Sequence, residues 1–122
     1  MGQFQPDGWH TVTPRIVTPE PGRLVEFVRS VFGAEGEFAN NRPSEIRIGD
    51  SVVMISDGGG LRDAMPAFLY VYVANVDQTF QRAIQEGATE VETPMDLPYG
   101  DRRATFRDKW DNLWQIACRR DG

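Results

Sequence analysis

The hydrophobic and polar positions divide the chain into two stretches with the same order of elements. From Thr11 to Val17, TVTPRIV carries β-branched residues suited to a strand, and TPEPG breaks it. In GRLVEFVRSVFG the apolar residues Leu24, Phe27, Val28, Val31 and Phe32 fall three or four apart along one face. That spacing predicts an amphipathic helix closed by Gly33. SEIRIGDSVVMIS then reads as two short strands joined at Gly49-Asp50, where glycine suits the positive φ of a tight turn.

The order then starts again. FLYVYV, Phe68 to Val73, is a strand by its aromatic and β-branched content, and ANVD opens a second helix with Asn75 as its cap. Val76, Phe80, Ala83 and Ile84 share a helical face that ends at Gly87-Ala88. EVETPMDLPYG and a closing hairpin, DRRATFR to NLWQIAC, complete the second half. Each half is therefore strand, helix, then roughly three strands. SDGGGLRDAMPA between them, with three consecutive glycines and no period, reads as an exposed, mobile linker. The expected organisation is a single domain over 1–122, with one module at about 10–57, a linker at about 57–66 and a second module at about 67–118. A module of this kind buries its apolar sheet face only when the two copies meet or when a partner chain supplies the second copy, so a homodimer is a natural expectation.

Composition changes this picture mainly by exclusion. Hydrophobic residues at 40% and charged residues at 25% are globular values, which excludes wholesale disorder. A net charge of −5 with scattered Lys and Arg excludes a nucleic-acid partner. No apolar run reaches the roughly 18 residues of a membrane span, and Met1 to Trp9 lacks a basic segment followed by an apolar one, so a cytoplasmic location with no membrane partner is expected. Cys118 has no second cysteine to pair with and no basic cluster to activate it.

The doubled strand and helix order, with RIGDSVVMISD closing the first half, YVYVANVD opening the second and YGDRRATFRDKWDNLWQIA at the end, resembles the vicinal oxygen chelate superfamily. This is the group of glyoxalases, bleomycin-resistance proteins and extradiol dioxygenases, and the resemblance runs from His10 to Ala117. It implies an α+β fold in which two βαβββ modules form curved mixed sheets around a cup, with the helices on the outer faces. Lys109 and Asp111 stand where the small bacterial branch has Pro and Gly, so the last hairpin turn is expected to differ in geometry.

In metal-dependent members of that superfamily, His, Gln or Glu ligands come from four positions, which fall here near Thr13, near Met54, at Phe68 and at Gln115. Only Gln115 suits a hard octahedral ion. Thr13 is a weak neutral donor, Met54 a soft thioether, and Phe68 has no lone pair. His10, the only histidine, sits an odd number of residues from Thr13 and is expected at the surface. The resemblance and these residues together imply no metal, no cofactor, and a cup that serves as a binding cavity.

Strand alternation nominates its lining. Thr13, Arg15, Val52, Met54, Phe68, Tyr70, Tyr72, Leu113 and Gln115 should share the inner face. A two-residue turn pairs Arg47 with Val52 and Glu45 with Met54, which places Glu45 and Arg47 there too. The same logic through the final turn places Arg102 and Phe106 inside. Trp114 alternates opposite Gln115 and should face a helix, whereas Trp110 lies in the turn. Thr13, Arg15, Glu45, Arg47, Met54, Phe68, Tyr70, Arg102 and Gln115 are thus the expected ligand contacts of a metal-free protein that binds an apolar or aromatic small molecule. A metal-dependent lyase or dioxygenase, or a metal-free acid/base enzyme using Glu45, is the alternative.

Overall fold

The computed structural model describes residues 4–60 and 63–120. Two compact units make it up, Met1–Arg29 with Gly33–Met65, and Ser30–Phe32 with Pro66–Gly122.

The first unit contains β1 (Arg15–Val17), most of α1 (Pro21–Phe32), β2 (Ser44–Ile48) and β3 (Ser51–Ser56). Its sheet runs β1-β3-β2, with β1 parallel and β2 antiparallel to β3. The strand expected over Thr11–Val17 begins only at Arg15. Pro14 has no N–H for a ladder, although its carbonyl still accepts from Met54 N–H at 2.9 Å. α1 ends in the left-handed conformation at Gly33 (φ 65°), as its sequence predicts, and starts one residue earlier than GRLVEFV, with Pro21 in its first turn. The tight turn is also as read: Gly49 has φ 59°, and Ile48 pairs with Ser51. Two strands rather than three follow α1. The third is reduced to an isolated bridge, in which Glu35 and Arg47 exchange backbone hydrogen bonds of 3.0 and 2.8 Å. Ile16, Leu24, Val25, Val28, Ile46, Val53 and Ile55 form the buried core.

The linker is exposed from Asp63 to Pro66 but tied to the first sheet, because Met65 N–H donates to Val17 O at 3.0 Å. Leu61 and Arg62 lie outside the described residues.

The second unit carries β4 (Phe68–Tyr72), α2 (Val76–Gln85), β5 (Thr89–Asp96), β6 (Asp101–Arg107) and β7 (Leu113–Arg119), with sheet order β4-β7-β6-β5. Asn75 caps α2 by accepting from Gln78 N–H at 3.0 Å. α2 lies against β5, β6 and β7. β5 is an edge strand, and its register shifts around Glu92, which lets Pro94 sit in it without breaking a central ladder. Phe32, Phe106 and Trp114 meet on the helix side with ring centroids 5.2 to 6.5 Å apart.

The last hairpin keeps a glycine-type turn without the glycine: Asp111 has φ 69° and is the one non-glycine residue at positive φ among those described. Asp tolerates that region at some cost. Replacing Asp111 by Gly is therefore expected to stabilise the protein by about 0.5–1 kcal/mol, read as a higher urea midpoint at unchanged slope. A lower midpoint would mean that the aspartate side chain supports the turn.

Candidate functional site

On the first sheet, register sets the positions of the expected contacts. Arg15, Met54 and Glu45 form one cross-strand row, and Val52 with Arg47 the next. All five share a face, as alternation requires. Thr13 is half-buried but precedes β1 and belongs to no strand. Arg47 is engaged by the chain's own N-terminal segment, donating to Gly8 O at 3.1 Å. With Trp9, Glu35, Gly36, Glu45 and Val52 it encloses a hollow of about 210 Å³. Glu45 does not pair with Arg47. Its carboxylate faces Arg42 at 3.9 Å and is half exposed. His10 is at the surface as expected, 3.8 Å from Asp50 Oδ2.

The second sheet presents an aromatic and polar face. Phe68 pairs with Leu113, Tyr70 with Gln115 and Tyr72 with Ala117 along β4 and β7. Across to β6, Gln115 opposes Thr105, Ala117 opposes Arg103, and Arg119 opposes Asp101. Phe68 and Tyr72 are 66% and 59% exposed, unusual values for strand aromatics.

Beside them lies a hydrogen-bond network. Tyr70 and Tyr72 both donate to Asp101 Oδ2, at 2.8 and 3.0 Å, and Tyr70 also meets the Tyr99 hydroxyl at 3.3 Å. Asp101 Oδ1 is buried without a hydrogen bond among the described residues, and Arg119 Nε forms an ion-pair contact with it at 3.3 Å. Arg103 holds Glu92 through two bonds of 3.1 and 3.0 Å, and Thr105 donates to the same carboxylate. In the middle of this face, the half-buried Gln115 amide makes no hydrogen bond among the described residues.

Arg102 and Phe106 require correction. The final turn is a five-residue loop, 108–112, that pairs Arg107 with Leu113, so Phe106 lies opposite Trp114 and faces the helix. Phe106 is fully buried there. Arg102 is on that same side, held by Asp77 at 3.1 and 2.9 Å and by Asp96 at 3.0 Å. The residues that share the face of Gln115 are instead Asp101, Arg103 and Thr105, together with Glu92 and Arg119. Only the loop length could have revealed them in advance, because strand alternation is counted from the turn.

The network gives the face a pH signature. Burial, then the Tyr99 and Asp101 contacts, push the Tyr70 hydroxyl well above the ordinary tyrosine value, and its bond to Asp101 raises Tyr72 as well. The Tyr70 hydroxyl, then Tyr72 and Arg119, hold Asp101 below the usual carboxylate range, and Thr105 with Arg103 does the same for Glu92. A depressed carboxylate stabilises the fold above its unfolded pKa, and a raised tyrosine stabilises it below its own. Stability should therefore be flat near neutrality, fall as pH drops below about 4 and fall again above about 10. Urea midpoints across pH check this. An acid slope unchanged in Asp101→Asn and Glu92→Gln would contradict it.

The positions at which the resemblance would put metal ligands fall near Thr13, near Met54, at Phe68 and at Gln115. A thioether, a phenyl ring and a neutral hydroxyl do not fit a hard divalent ion. Among the described residues, no three His, Cys, Asp or Glu side chains group as a metal site.

Comparison with known proteins agrees with this fold. The family model described as Glyoxalase/Bleomycin resistance protein/Dioxygenase superfamily matches residues 10–116. A Mycobacterium bovis protein is 25% identical, over 87% of this chain and 81% of its own. Among solved structures, TioX from Micromonospora sp. ML1 superposes with a TM-score of 0.76 at 23% identity, covering 90% of this chain and 98% of its own. TnmS3, an antibiotic binding protein from Streptomyces sp. CB03234, gives 0.74 at 16% identity, with 90% and 95% covered. No helix among the described residues is long and apolar enough to cross a membrane.

Proposed function

We propose, because the chain belongs to the glyoxalase/bleomycin resistance protein/dioxygenase superfamily, that it is a metal-free small-molecule-binding member of that group. The observation that carries this reading is the second sheet's open face, where exposed Phe68, Tyr70 and Tyr72 flank a Gln115 amide that makes no hydrogen bond within the described chain. Aromatic faces supply stacking area, and an unspent amide in their midst can orient a ligand carbonyl or hydroxyl. The preferred ligand is a flat organic molecule bearing such a group. The antibiotic binding for which TnmS3 is named is a function of this kind. On the first unit, considered by itself, Thr13, Arg15, Glu45, Arg47 and Met54 remain proposed ligand contacts of that unit's own sheet face. A homodimer belongs to the same reading, since a strand-helix-strand module of this kind packs against a second copy.

Native mass spectrometry of untagged protein, alone and with 1,8-dihydroxyanthraquinone, tests the proposal. A metal-free dimer that binds the probe is expected, with affinity reduced about tenfold in Gln115→Ala and in Phe68→Ala. One tightly held divalent ion per site would overturn the metal-free reading. Binding equal to wild type in both variants would remove this face from the site.

A further inference from the structure

The first unit contains a larger hollow that the aromatic face of the second unit does not involve. It lies beyond the end of β3, where three segments meet: Arg15 with Pro21, the 38–43 loop, and the 56–59 turn. Its volume is about 590 Å³, within the range of small-molecule sites. We propose that this cavity binds a small organic anion with a flat apolar body, an aryl carboxylate being its simplest form.

The walls are fixed by local hydrogen bonds. Ala39 N–H donates to the buried Ser44 hydroxyl at 2.8 Å, which holds the 38–43 loop to the start of β2. Gly58 N–H donates to Ser56 Oγ at 3.3 Å and Gly59 N–H to Asp57 Oδ1 at 2.8 Å, which shapes the opposite wall. Binding then carries little of the ordering cost that an unformed loop would add.

The polar groups are predominantly donors. Arg15 spends one guanidinium N–H, on Ser56 Oγ at 3.3 Å. Among the described residues, Arg42 makes only the loose 3.9 Å pair with Glu45. Ser56 is nine-tenths buried, and its oxygen already accepts from Arg15 and Gly58, so its own O–H is left to donate into the cavity. Against these stands one lining carboxylate, Asp57, one of whose oxygens is bonded to Gly59. Two guanidiniums and a buried hydroxyl suit a carboxylate, sulfonate or phosphate ester, and arginine can hold such a group through two parallel bonds. The apolar part has Phe38 to stack on. That ring is 46% exposed and rests over Gly22 in the first turn of α1, with Pro21 and Pro43 beside it. With a net charge of −5 the protein as a whole repels anions, so any selectivity for them must come from this local arginine pair.

Calorimetry and amide chemical-shift mapping with 2-naphthoate and the neutral 2-naphthamide decide the matter. Expected are saturable naphthoate binding, shifts centred on residues 56–59 and 38–43, and at least about tenfold weaker binding of the amide. Arg15→Gln and Arg42→Gln should each weaken naphthoate about tenfold, and Ser56→Ala several-fold. Arg42 is largely exposed, so its variant keeps the test informative should Arg15→Gln disturb β1. Equal affinity for acid and amide, no saturable binding below about 1 mM, or unchanged affinity in the double arginine variant would overturn the proposal. Shifts confined to Phe68–Tyr72 and Gln115 would also overturn it, while leaving the second-unit face standing as a ligand site.

Discussion

Asp108→Ala is expected to cost about 3–5 kcal/mol of stability. Asp108 is 4% exposed, and its carboxylate accepts four hydrogen bonds. Oδ1 takes Trp110 N–H at 2.9 Å and Asn112 N–H at 3.0 Å, while Oδ2 takes Asn112 Nδ2 at 2.9 Å and Trp114 Nε1 at 2.8 Å. Alanine leaves those donors in place and removes their acceptor. Trp114 and Asn112 are themselves buried, so water cannot replace the lost oxygen without opening the turn. The damage should spread, because Asn112 Oδ1 in turn accepts from Ala67 N–H at 2.8 Å at the start of β4. Asp108→Asn tests the chemistry separately from the volume. It keeps one oxygen but points an NH2 at donors, and about 2–3 kcal/mol should still be lost. Urea unfolding of these variants, with Trp114→Phe in each background, gives the coupling directly, expected at about 1–2 kcal/mol. A loss below about 1 kcal/mol in Asp108→Ala would show that the turn is held by something else.

Gly36→Ala should cost about 2–4 kcal/mol. Gly36 has φ +120°, where an L side chain is strained, and a Cβ there would stand 2.5 Å from the Glu45 carbonyl oxygen and 3.1 Å from Ile46 Cδ1. The obstacle is backbone and cannot swing aside. Relief would require Glu35 to leave Arg47, breaking the bridge that covers the outer edge of β2. Gly49→Ala is the control, since Gly49 also has positive φ but nothing lies within 4 Å of its would-be Cβ. That variant should lose only about 1 kcal/mol, from backbone strain alone. Equal losses in the two proteins would mean that the close approach at Gly36 carries no energy. Because Glu35, Gly36, Glu45 and Arg47 line the same hollow, Gly36→Ala should also displace the Arg47 bond to Gly8.

Much of the fold was legible because periodicity is a local property. Leu24, Phe27, Val28 and Val31 announce α1 by spacing alone, Gly33 and Asn75 mark helix ends by their own stereochemistry, and Gly49 fixes a two-residue turn. From that turn the pairing of Arg47 with Val52 and of Glu45 with Met54 follows by counting. The resemblance to the superfamily was carried by motifs at the ends of both halves, and the family model covers the same stretch. Less legible was the shortfall of the first module. Its missing strand is a single bridge at Glu35, formed by backbone groups that no side-chain pattern reports.

What the sequence determined by itself was therefore the two helices, the strands that flank them and the first hairpin's register. Each depends on residue type and local spacing. Only the tertiary structure decided which residues of β6 share the face of Gln115. Asp108 gathers a five-residue loop around its carboxylate, and since side chains alternate with period two, that length turns Arg102 and Phe106 toward the helix and brings Asp101, Arg103 and Thr105 beside the tyrosines. The cavity at the end of the first sheet was beyond sequence reading for a similar reason. Arg15, Arg42 and Ser56 are far apart along the chain and become neighbours only when β1 pairs with β3 and the loops close around them.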